Sequence, residues 1–90
     1  MLFMIIERFK DNDMVPIYRR LRDAGRALPE GLEYVDSWVD LDYDRCFQLM
    51  RTDDRALIDR WIDKWRDLAR FEVIPVRTSA EAARNIADAL

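Results

Sequence analysis

Glu7 is the carboxylate with the surroundings for acid–base chemistry. It lies in "LFMIIERFK" (2–10), with Phe3, Ile5 and Phe9 on its own side of an extended chain. An apolar environment disfavours the charged carboxylate, lifts its pKa and makes it a candidate general base. Asp36 is a second candidate proton carrier. It stands in "LEYVDSWVD" (32–40) between Tyr34 and Trp38, two rings able to hold an apolar or aromatic ligand. "RCFQLMR" (45–51) adds Cys46, Gln48 and Met50, of which Gln48 suits a substrate carbonyl. Each group also has a structural reading. Glu7 can pair with Arg8, or with Arg45 of the partner subunit. Gln48 can satisfy Asp36, and Tyr34 and Trp38 can anchor an interface.

What the chain lacks narrows the chemistry. It has no histidine, which excludes His-based triads, His-ligated haem and His-rich metal sites. Cys46 is the sole cysteine, so no internal disulfide forms. That fits a reducing cytoplasm. Without a histidine to activate it, Cys46 reads as a small buried hydrophobe. "DLDYD" (40–44) lacks the glycine and terminal glutamate of an EF-hand loop and reads as a solvated turn. "RDAGR" (22–26) lies at a helix exit with no strand before it, so it is no phosphate loop. No cofactor or metal is expected.

The elements that position these residues follow from periodicity. Strands are predicted over 2–10, 32–40, 45–51 and 71–78, and helices over 14–27, 53–69 and 80–89. Pro16 is tolerated in a first helical turn, and Asp53 or Asp54 caps the second helix. Pro75 marks the last strand as an edge. The order β-α-β-β-α-β plus a short C-terminal helix is an α+β, ferredoxin-like arrangement, with both long helices on one face of an antiparallel sheet. Ninety residues make one domain, 1–90, and at 50% hydrophobic and 37% charged its composition is that of an ordinary globular chain. The net charge of −3 argues against nucleic acid and anionic membrane as partners. The N-terminal run is too short for a spanning helix.

Two helices leave the other sheet face uncovered, and an apolar face of that size points to a homodimer with facing sheets. A buried unpaired carboxylate is costly, so Met4 and Ile6 are expected under the helices. Glu7, Phe3, Ile5 and Phe9 then take the open face. A five-residue hairpin loop sets Trp38 opposite Cys46, Asp36 opposite Gln48 and Tyr34 opposite Met50. These side chains, with Phe9, are expected to line a semi-polar pocket between the sheets. A one-residue slip would reverse the assignment.

"MLFMIIERFK", "YRRLRDAGRALPEGLEYVDSWVD", "RCFQLM" and "FEVIPV" resemble a family of short bacterial proteins of unknown function. That family is similar to the dimeric α/β barrel superfamily, which includes antibiotic-biosynthesis monooxygenases and muconolactone isomerases. The resemblance implies the facing-sheet dimer and carries no specific activity. The histidines of haem-degrading relatives are absent, and Arg51 stands where the family pattern has an acidic residue. The expectation is a small-molecule binder or cofactor-independent enzyme, with Glu7 or Asp36 moving protons. The alternative is a non-catalytic interaction dimer.

Overall fold

A computed structural model describes residues 1–90. The elements are β1 (Leu2–Phe9), α1 (Val15–Ala24), β2 (Glu33–Val39), β3 (Arg45–Arg51), α2 (Arg55–Asp63), β4 (Ala69–Val76) and α3 (Ser79–Ile86). Short 3-10 turns occupy Lys10–Asn12 and Ala87–Ala89. The four strands form one antiparallel sheet in the order β2-β3-β1-β4. This is the α+β, ferredoxin-like arrangement that the element order predicts.

Local chemistry sets the boundaries. The Asp13 carboxylate accepts from the Val15 N–H at 3.0 Å, and Pro16 occupies the first turn of α1 without loss of a helical hydrogen bond. Gly25 ends α1 at φ 68°, a left-handed conformation open to glycine. Asp54 caps α2 by accepting from the Ala56 N–H at 3.0 Å. α2 is shorter than its periodicity predicts. Beyond Asp63 the backbone tightens into three-residue turns, with Lys64, Trp65 and Leu68 bonding to Trp61, Ile62 and Trp65. β4 is an edge strand, which accommodates Pro75.

The sheet faces are the reverse of those expected. Phe3, Ile5, Glu7 and Phe9 lie buried beneath the helices, with Met50, Ile58, Trp61, Ile62 and Trp65. Met4 and Ile6 lie on the open face, partly covered. Both sides of this central strand are apolar, so alternation alone does not choose between them. The two phenylalanines take the side where the indoles make a deep layer. Glu7 follows them because a carboxyl group can accept a hydrogen bond and lose its charge instead of leaving.

The hairpin register is also corrected. Tyr34 faces Met50 as expected, but a bulge falls between Tyr34 and Asp36. Beyond it Asp36 pairs with Leu49, Ser37 with Gln48, Trp38 with Phe47 and Val39 with Cys46. One extra residue sends every later side chain to the opposite face. Asp36 and Trp38 therefore leave the side of Glu7, and Ser37 takes the place expected for Asp36.

α3 projects from the body. All its residues are exposed except Ala82, and Ile86 is 54% exposed. The radius of gyration is 14.9 Å, against about 12 Å for a compact chain of this length.

Candidate functional site

The strand pairing brings three polar side chains together under the helices. Glu7 on β1 faces Cys46 on β3, and Gln48 lies two pairs further along, on the same face, opposite Ile5. Gln48 Nε2 donates to Glu7 Oε1 at 2.7 Å. That leaves the Gln48 carbonyl oxygen free to accept from Arg26 Nε at 3.4 Å, so the amide bridges a guanidinium and a carboxyl. Glu7 is 6% exposed and forms no ion pair. Burial pushes its pKa up to about 7, opposed in part by the charge of Arg26 and the bond from Gln48. Cys46 is half-buried, and burial together with the Glu7 charge pushes its thiol up to about 12.

Arg26 is placed by its backbone. The indole N–H groups of Trp61 and Trp65 both donate to the Arg26 carbonyl, at 2.9 and 3.2 Å. Lys64 Nζ donates to the neighbouring Ala27 carbonyl at 2.9 Å. Three donors from α2 and its C-terminal turn thus hold two consecutive carbonyls of the loop that leaves α1. Gly25 and Ala27 flank Arg26 at positive φ, 68° and 58°. The resulting turn aims the Arg26 side chain back over the sheet. Its guanidinium lies 3.6 Å from the centroid of the Tyr34 ring, a close cation–π stack. The Tyr34 hydroxyl in turn shares a 2.6 Å hydrogen bond with Ser37 Oγ.

A cavity of about 70 Å³ lies between these groups and the helices. Its polar side is formed by Glu7, Cys46, Gln48, Arg26, Ser37 and Tyr18. Its apolar side is formed by Phe9, Ile17, Leu21, Trp61 and Trp65. Trp61 is braced edge-to-face on Phe71, with ring centroids 5.8 Å apart.

Four of the candidate residues therefore meet at one cavity: Glu7, Phe9, Cys46 and Gln48. Tyr34 stands just behind it as the base of the Arg26 stack. Met50 is on the same face but wholly buried in the core. Asp36 and Trp38 are on the open face, where Trp38 is 52% exposed. The cavity lies within the protomer, not between sheets. Arg26, Ser37, Tyr18, Trp61 and Trp65 also line it, none of them among the residues expected at a site. No local signal marks Arg26, since Gly25 alone announces the turn and the positive φ of Ala27 is set by tertiary contacts.

The family described as "Domain of unknown function (DUF3303)" matches residues 1–90. The chain belongs to that family. No curated protein matches it. The crystal structure of protein Atu4242 from Agrobacterium tumefaciens is similar in fold, with a TM-score of 0.51 at 16% identity. The alignment covers 88% of this chain and 96% of that one. At that identity the likeness concerns the fold alone. No helix of this family member is long and apolar enough to cross a membrane.

Proposed function

We propose that the cavity beneath α1 and α2 is a small-molecule site, and that Glu7 is its acid–base group in a cofactor-independent, isomerase-like proton transfer. The observation that carries this reading is a carboxyl group held at a cavity wall by one hydrogen bond, with no ion pair and a pKa near neutrality. Such a group exchanges protons readily at physiological pH. The ionised Glu7 would take a proton from a carbon next to a carbonyl, leaving the C–H electron pair as an enolate. The protonated Glu7 would return that proton at a second position. Gln48 fixes the carboxyl orientation, and Arg26 offers positive charge where the enolate oxygen develops. The resemblance to the dimeric α/β barrel superfamily, with its isomerases and cofactor-free oxygenases, supports the reaction class.

Two measurements test this. In carboxyl-labelled protein, one glutamate should titrate near pH 7 and disappear in Glu7→Gln. In deuterated buffer, a panel of small carbonyl compounds should show C–H exchange that Glu7→Gln abolishes. Titration of every glutamate in the ordinary range, or exchange unchanged in the variant, would refute the reading.

A second reading, an interaction dimer in the cytoplasm, is favoured by the open sheet face. Met4, Ile6, Phe47, Leu49, Ile74 and Trp38 share it, and arginines 8, 45, 51 and 70 occupy its margins. The homodimer would bury this patch, and the projecting α3 is free to reach across it. The two readings are compatible, because the cavity lies on the other side of the sheet.

A further inference from the structure

Arg26 is underused by the protein itself. Its Nε reaches Gln48, but neither terminal nitrogen, Nη1 nor Nη2, donates to any protein group. A half-buried guanidinium held flat on a tyrosine ring at 3.6 Å, at a cavity wall, presents a rigid fork with two open donors. Such a fork matches the two oxygens of a carboxylate. The opposite wall is apolar, formed by Ile17, Leu21, Trp61 and Trp65. At about 70 Å³ the cavity is small, which favours a compact ligand. Acetate and propionate have four and five non-hydrogen atoms.

From this arrangement we infer that the cavity takes a compact monocarboxylate, its carboxylate on the Arg26 fork and its short apolar tail between the helices, and that binding draws a proton onto Glu7. This rests on the small-molecule reading above and names a class of non-reacting ligand for that site, one that takes the Arg26 position of the enolate oxygen and leaves Glu7 in its protonated form. The proton follows from charge. A bound anion neutralises the cation that favours ionised Glu7 and adds a like charge beside it, so Glu7 binds a proton from solvent. The groups around Glu7 leave it as the responder. Tyr18 of α1 and Cys46 of β3 already have raised pKa values, and Tyr34 of β2 is a phenol. Trp61 of α2 and Phe71 of β4 do not titrate.

Calorimetric titration of the full chain with acetate and propionate, in buffers of different ionisation enthalpy, tests this. Binding in about the millimolar range is expected for ligands so small, with proton uptake rising toward one per ligand at pH 8. Propionamide and inorganic phosphate should bind at least tenfold more weakly. Arg26→Gln should lose at least tenfold in affinity, and it leaves the backbone carbonyl that anchors the loop intact. Arg26→Lys keeps the charge without the fork and should fall between. Glu7→Gln should still bind acetate but take up no proton. Equal binding of propionamide, or no effect of Arg26→Gln, overturns the inference. So does failure of carboxylates to bind while Glu7 titrates near 7, a result that leaves the acid–base reading standing. A Glu7 that titrates in the ordinary range refutes that reading instead.

Discussion

Replacing Glu7 by glutamine should stabilise the protein, and only above a definite pH. The folded pKa is about 7 against an ordinary value of 4.5. Below pH 4.5 Glu7 is protonated in both the folded and unfolded chain and its burial costs nothing in charge. Between 4.5 and 7 the folded state binds the proton that the unfolded state has released, so stability falls as pH rises. Above 7 both states are ionised and the loss is complete. The interval of 2.5 pH units corresponds to about 3 kcal/mol at 1.36 kcal/mol per unit. For a domain of this size that is a large share of total stability. Glutamine imitates the neutral carboxyl, and its oxygen can still accept from Gln48. Urea unfolding of both proteins should therefore give nearly equal stabilities at pH 4. At pH 8 the variant should be more stable by about 3 kcal/mol. The other acidic groups cancel in the difference, provided protein concentrations match. A gap between the two proteins that is the same at pH 4 and pH 8 would refute the assignment of a buried, ionisable Glu7.

Trp61→Phe should cost about 1–2 kcal/mol through loss of the shorter bond to the Arg26 carbonyl, and Trp65→Phe less. The double variant should cost more than the sum, because each single one leaves that carbonyl a donor; additive urea-unfolding energies would show that the two indoles act independently. Cys46, with its thiol pushed up to about 12, should react with iodoacetamide roughly a thousandfold more slowly at pH 8 than in the unfolded chain. Comparable rates by mass spectrometry would place the thiol in a polar, ionising environment. Trp38→Ser, on the open face, should weaken self-association in sedimentation velocity and leave the titration of Glu7 unchanged; a wild-type chain that sediments as a monomer at tens of micromolar removes the dimer.

Much of the fold was legible because its signals are local. The Asp54 cap, Pro16 in a first turn and Pro75 on an edge each act within a few residues. The site was legible in part. Glu7, Cys46 and Gln48 were placed on a common face correctly, since their spacing within β1 and β3 has a strict period of two. Which layer covers that face is not legible, because both sides of β1 are apolar and a carboxyl group can meet the cost of burial by holding its proton. The bulge at Val35 left no mark in composition, yet it decided the fate of Asp36, Ser37 and Trp38. Arg26 was unreadable for another reason: its position depends on donors 35 to 39 residues away in sequence.

The lone thiol offers the protein a built-in optical probe. Cys46 stays un-ionised over the whole range in which Glu7 changes charge, and the two side chains face each other across adjacent strands. The S–H stretching vibration absorbs where proteins are otherwise transparent in the infrared, and its frequency follows the local electric field. One unlabelled cysteine can thus report, in real time, when its neighbour gains or loses a proton and when a molecule enters the space beside it.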